Sequence, residues 1–266
     1  MRIAVLGSGS GGNCTYLETA KASVFVDLGL GARTLARRLY QTGLRNRRVS
    51  AIFVTHSHVD HVAGILPYAS RNQVRVFMTE GTWSELPGLR ELPHIELLKP
   101  GSKVEVCDLC VESFSIPHET AQPVGFRFEG DGVAGALATD LGELAPSVCA
   151  RLAGCDWLAL ESNHDEELLR IGPYPWPLKR RLLSSVGHLS NRALAEFLAK
   201  SFDGRARHIF LAHLSRQNNA PGIALETARR ALASRRDAGP DWNRRWRVHL
   251  TDQFQPSIVV DVAAGE

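Results

Sequence analysis

The run Thr55-His56-Ser57-His58-Val59-Asp60-His61 places four metal-capable side chains within six residues. Imidazole nitrogen and carboxylate oxygen suit zinc, manganese or iron(II). A helix brings together positions three or four apart, and a strand only alternate ones. A loop leaving a buried strand turns all four toward one point, and Ala51–Thr55 has the short, β-branched character of such a strand. The helix-like segment Val62–Ala69 follows. Two metals need more groups than one loop supplies, and those are expected where other buried strands end. His118 follows Val111–Pro117, Asp140 follows Val133–Thr139, and His213 follows His208–Ala212.

The elements that must position these residues alternate between two periodicities. Val24–Asp27, Val74–Met78 and Trp157–Glu161 read as buried strands. Val104–Pro117, Val124–Glu129 and Val133–Thr139 read as a meander, with Gly130-Asp131-Gly132 turning between the last two. Helices are expected at Ala32–Tyr40, Glu143–Leu152, Asn191–Phe202 and Ile223–Ser234, an irregular segment at Pro173–Pro177, and a closing strand at Gln253–Val262. This mix predicts an α/β (α+β) architecture of sheets packed together with helices outside. Residues 1–266 are expected to form a single domain of two similar halves, divided near residue 110.

Of the 266 residues 44% are hydrophobic and 22% charged, with a net charge of +3, ordinary for a globular protein and short of the excess expected of a DNA-coating protein. Nothing approaches 18 consecutive apolar residues, so no membrane span is expected. Met1–Gly7 lacks a signal peptide's cleavage region and reads as a strand, which makes a cytoplasmic location the expectation. Five cysteines, Cys14, Cys107, Cys110, Cys149 and Cys155, are an odd number and argue against a disulfide framework. Arginines cluster at Arg45, Arg47 and Arg48 and at Arg244, Arg245 and Arg247; such clusters are either solvated faces or phosphate contacts.

The H-x-H-x-D-H run, followed by His118, Asp140 and His213 in that order, resembles the metallo-β-lactamase superfamily. The resemblance spans the chain from Leu6 to Ser215. It is closest to the YycJ-type subfamily of nucleases, through Gly7–Cys14, Glu161-Ser162-Asn163-His164-Asp165, Gly187-His188-Leu189-Ser190-Asn191 and Leu211–Asn219. It implies a four-layer αβ/βα sandwich and two divalent ions, zinc first, with manganese and iron as alternatives. It implies His56, His58 and His118 on one ion, Asp60, His61 and His213 on the other, and Asp140 bridging. Asp27 matches the family's first motif aspartate, which holds the ligand loop by hydrogen bonds.

The implied reaction is hydrolysis by a hydroxide shared between the two ions, with Asp60 orienting or deprotonating the water and His188 donating a proton to the leaving oxygen. His188 is similar to the histidine motif of ribonuclease Z, and it also fits a capping turn before a helix. His164 reads as a helix-start residue or one that orients a ligand. Ser10 and Asn13, in a glycine loop without the lysine of a phosphate loop, are candidate substrate contacts. So are Trp176, Lys179 and Arg180, which with Arg181 make an aromatic-basic loop suited to stacking on a base and meeting phosphate. The expected substrate is a phosphodiester, DNA or RNA. The alternatives are a small-molecule hydrolase of thioesters, lactones or cyclic phosphodiesters, which shares the same metal motif, and a non-catalytic binding protein. The sequence does not set the oligomeric state.

Overall fold

The computed structural model describes residues 1–44 and 47–263; Arg45 lies outside them. Among these residues the fold is mixed α/β with two seven-stranded mixed sheets and helices. The chain divides into two compact units. One comprises Met1–Ser115, Thr120–Val133 and Thr251–Glu266, the other Ile116–Glu119 and Ala134–Leu250.

The first unit begins with β1 (Arg2–Gly7), β2 (Cys14–Glu18) and β3 (Ser23–Val26), all antiparallel neighbours. Cys14, which opens β2, is 1% exposed. Helix α1 (Ala32–Thr42) ends where Gly43 adopts φ 72° and donates its N–H to Leu39 and Tyr40 carbonyls, a left-handed cap that glycine takes without steric cost. Then β4 (Ala51–Phe53) leads to the short α2 (Val59–Val62) and α3 (Ile65–Asn72), and β5 (Arg75–Thr79) and α4 (Glu80–Ser84) lead to β6 (Ile95–Leu98). Strands β3 to β6 pair in parallel. Their residues are buried on both faces over β3 and β4, as the unbroken apolar runs of parallel strands require.

The stretch Val104–Pro117, expected as one strand, is a hairpin of β7 (Lys103–Val106) and β8 (Leu109–Ser115). Val106 faces Leu109 across the turn, and Cys107 takes φ 56°; the turn contains no glycine or proline to mark it. β8 pairs antiparallel with β9 (Val124–Gly130).

The second unit carries β10 (Val133–Ala138), α5 (Pro146–Leu152), β11 (Trp157–Glu161), α6 (Glu166–Ile171), α7 (Trp176–Leu182), α8 (Asn191–Lys200), β12 (His208–Ala212), α9 (Pro221–Ala233), α10 (Trp242–Arg245) and β13 (Arg247–Leu250). Strands β10 to β13 are parallel in sequence order, and β11 and β12 are buried throughout. A Cβ on Gly135 would lie 1.8 Å from Trp157 Cε2, so the glycine makes room for the largest side chain of the neighbouring strand. Pro177 sits in the first turn of α7, where its missing N–H costs nothing; the segment expected to be irregular therefore becomes helix at Trp176. Back in the first unit, only Val260–Asp261 of the expected Gln253–Val262 strand forms, as β14 against β1. Asp252 Oδ1 accepts from the N–H groups of Phe254 and Gln255, turning the chain where the strand was expected.

Candidate metal centre

The site residues follow the carboxyl ends of parallel strands, where open α/β sheets place their ligands. Asp27 follows β3, Thr55–His61 follows β4, Asp140 follows β10, Glu161 ends β11, and His213 follows β12. Asp27, Asp140 and His213 have φ of 56°, 58° and 55°. Left-handed backbone is sparsely populated by non-glycine residues and concentrates at functional sites. At each exit it turns the chain sharply out of the sheet.

In the first unit, Asp27 organises the ligand loop. Its Oδ1 accepts from the backbone N–H of Thr55 at 2.8 Å, and its Oδ2 from the Thr55 hydroxyl at 2.8 Å and from His61 Nδ1 at 2.7 Å. With its proton given to Asp27, the Thr55 hydroxyl accepts from His56 Nδ1 at 2.9 Å. Both histidines therefore carry their proton on Nδ1 and present the Nε2 lone pair. His56 Nε2 lies 3.0 Å from His58 Nδ1, and His61 Nε2 lies 3.6 Å from Asp60 Oδ2. Two ligands of one tetrahedral zinc, each about 2.0–2.1 Å from it, stand about 3.3 Å apart. The donor types and spacings in this unit therefore fit divalent ions.

In the second unit, Asp140, Glu161, His188 and His213 each bring one possible ligand atom within 4.8 Å of the others. Glu161 is completely buried, and sequence reasoning missed it as a site residue. Its Oε1 accepts from His188 Nδ1 at 2.7 Å and His213 Nδ1 at 3.0 Å. Its Oε2 accepts from the backbone N–H of Leu141 at 2.9 Å and Leu189 at 3.3 Å. One carboxylate thus sets the tautomer of two imidazoles and ties down the residue after Asp140. The signal was present, because Glu161 ends a buried strand just as Asp140 and His213 follow theirs. Burial alone would raise its pKa, but the His188 charge and the histidine hydrogen bonds hold it well below the usual carboxylate range. Conversely, burial disfavours the His188 cation, and the Glu161 carboxylate more than offsets this, so the His188 pKa is raised. His118 Nδ1 donates to the Gly187 carbonyl at 3.2 Å.

A buried amide network joins the three other motif segments. Ser162 Oγ donates to Asn191 Oδ1 at 2.7 Å, and Asn191 Nδ2 to Asn219 Oδ1 at 2.9 Å. Asn219 Nδ2 donates to the carbonyls of Ser162 and Asn163, and Asn163 Nδ2 to that of His213 at 2.8 Å. His164 is buried within this framework, and its carbonyl accepts from the Asn191 N–H. Ser190 caps α8, accepting from Ala193 at 3.1 Å, so the turn that carries His188 is both a cap and part of the cluster.

The candidate substrate contacts separate. Ser10, Trp176 and Arg180 are exposed. Asn13 is buried, with its amide against Asp60 and His61. Lys179 is buried too, its Nζ donating to the carbonyls of Arg170 at 2.6 Å and Gly172 at 2.8 Å and lying 5.4 Å from the Trp176 ring centroid. Arg181 pairs with Glu119. No helix among the described residues is long and apolar enough to cross a membrane.

Residues 23–213 match the beta-lactamase superfamily domain. The chain belongs to the metallo-β-lactamase superfamily. Among curated members, Exodeoxyribonuclease YycJ of Bacillus anthracis is 34% identical over 262 residues, covering 97% of this chain and 98% of its own. Exodeoxyribonuclease WalJ of Streptococcus pneumoniae is 33% identical over 237 residues, covering 87% and 88%. The crystal structure of the metallo-beta-lactamase fold protein YhfI from Bacillus subtilis matches with a TM-score of 0.70 at 14% identity, over 98% of this chain and 99% of that one. Superfamily membership and the two donor sets agree: this metallo-β-lactamase fold carries residues able to hold divalent metal.

Proposed function

We propose that the chain is a metal-dependent phosphodiesterase of the cytoplasm that degrades DNA from an end, working as one catalytic domain over residues 1–266. The proposed ligands for two divalent ions, zinc first, are His56, His58 and His118 for one, Asp60, His61 and His213 for the other, and Asp140 shared. Such ions supply Lewis acidity, lowering the pKa of water and taking up charge on the attacked phosphate. The residues of the chain do the rest. Asp27 and Thr55 fix the tautomers of His56 and His61. Asp60 orients the attacking water and takes its proton. Glu161 aims His188 and raises its pKa, and His188 hands a proton to the departing deoxyribose oxygen. Trp176, which opens α7, and Arg180, in its last turn, are exposed and offer a stacking face and a cation to the strand.

The observation that carries this reading is the Glu161–His188 pair. An alkoxide leaving from a phosphodiester needs a proton donor, whereas a thiolate leaving from a thioester does not. Similarity to two exodeoxyribonucleases over nearly the whole chain supports the same substrate class. The test is to strip the protein of metal, restore zinc or manganese, and follow end-labelled single- and double-stranded DNA alongside a thioester and lactone panel. Metal-dependent shortening from one end, lost in both Asp60→Ala and His58→Ala, is expected. Turnover of thioesters or lactones without DNA hydrolysis would overturn the proposal.

A further inference from the structure

We propose that Asn13 is a positioning residue that holds Asp60 in the geometry that binds a divalent ion. The inference rests on the reading above that Asp60 is a metal ligand, and it gives the glycine loop a role.

Asn13 is 7% exposed and follows Gly12, whose φ is 137°. Every polar group of the residue is engaged. Its backbone N–H donates to the Asp60 carbonyl at 2.7 Å, and its own carbonyl accepts from Gly29 at 2.8 Å. Its side-chain Oδ1 accepts from the Gly9 N–H at 2.8 Å, which fixes which end of the amide is oxygen. The remaining NH2 group stands 3.1 Å from Asp60 Oδ2 and 2.9 Å from His61 Nε2. Because His61 gives its Nδ1 proton to Asp27, its Nε2 is an acceptor. One amide proton therefore addresses Asp60 Oδ2, which keeps further lone pairs for an ion, while the other rests on the single Nε2 lone pair, a contact that His61 gives up when it turns that lone pair to an ion.

The backbone is clamped as well. A Cβ on Gly29 would collide with the Asp60 carbonyl, so a glycine at 29 leaves that carbonyl room to reach the Asn13 N–H. Asp60 itself stands in the first turn of the short α2 with its side chain partly exposed, and left alone its carboxylate would sample several rotamers. Only a short side chain with one acceptor and two donors meets Gly9, Asp60 and His61 together. Aspartate has the acceptor without the donors, serine has a single hydroxyl, and glutamine is one methylene longer.

Partners that orient metal ligands are worth about 10–100-fold in affinity. The experiment titrates metal-stripped protein with zinc against a chromophoric chelator, with a melting curve of each metal-free variant alongside. Wild type is expected to take up two ions. In Asn13→Ala, one of the two is expected to bind at least about tenfold more weakly, with the melting curve showing a folded protein. Asn13→Asp keeps the acceptor for Gly9 and the size of the side chain but lacks the donors, and the same loosening is expected of it. Unchanged or tighter binding of both ions in either folded variant would overturn the role of Asn13. Wild type that takes up no divalent ion would instead overturn the metal-centre reading, and the inference with it.

Discussion

Asp27 Oδ2 receives the Nδ1 proton of His61 at 2.7 Å across 34 residues of chain. The same carboxylate takes the backbone N–H and hydroxyl of Thr55, so one buried acid fixes both the start of the ligand loop and its last histidine. In Asp27→Asn an amide NH2 must face at least one of these donors. Metal affinity is expected to fall about 10–100-fold, measured by chelator competition, with asparagine still tolerating the left-handed backbone.

Glu161→Gln meets the same difficulty twice over. Either orientation of the new amide sets an NH2 group against two N–H donors, because each oxygen now accepts from two. DNA cleavage is expected to lose about 10–100-fold in kcat with KM little changed, and steady-state kinetics on a labelled oligonucleotide report it. An unaltered kcat would separate Glu161 from the chemistry.

Lys179 and Trp176 are neighbours with opposite expectations. Lys179→Met removes two hydrogen bonds to the carbonyls that end α6 and is expected to cost about 1–3 kcal/mol of stability in urea denaturation. Trp176→Ala removes an exposed ring and is expected to leave stability nearly unchanged while weakening oligonucleotide binding by about 1–3 kcal/mol.

Gly135→Ala forces a methyl group onto Trp157. Overpacking of a filled core costs about 1–3 kcal/mol, and a contact this short belongs at the upper end. The same denaturation experiment measures it, and a stability equal to wild type would show that the indole has room to move.

His208 and His249 stack with ring centroids 5.2 Å apart, joined by a 2.9 Å hydrogen bond. Burial first, then Arg247 and Arg207 for His208, and His208 and Arg247 for His249, hold both at about 4, against 6.5 for an ordinary histidine. Between pH 6.5 and 4 the unfolded chain binds protons that the folded chain refuses. Stability from this pair is therefore complete above pH 6.5 and declines as pH falls to 4. Thermal melts across that window are expected to show the slope, and His249→Gln, which keeps a hydrogen-bonding partner for His208 without a titrating ring, is expected to shrink it.

The strongest signals in the sequence were those where chemistry and element type coincide. Four metal-capable side chains after a β-branched strand, and three more at strand ends, needed no tertiary knowledge to stand out. Glu161 obeys the same strand-end rule, but its weight comes from four donors spread from Leu141 to His213, and no local pattern announces their convergence. Lys179 reads as a phosphate contact in sequence because its neighbours Arg180 and Arg181 are basic; only the carbonyls at the end of α6 make it an interior donor. Asn13 likewise depends on Asp60, 47 residues away. The hairpin at Cys107-Asp108 escaped because its turn lacks glycine, and β14 is short because Asp252 turns the chain before it.

Cys14 follows Asn13 directly and is sealed inside the sheet. Burial, then the Asp27 charge, pushes its thiol well above the ordinary range, so an alkylating reagent reaches a reactive form only when β2 opens. Cys107, exposed in its hairpin, labels from the native state. Read site by site, the interval between Cys107 and Cys14 labelling thus times the opening of the strand beside the ligand loop, an internal clock that runs without substrate.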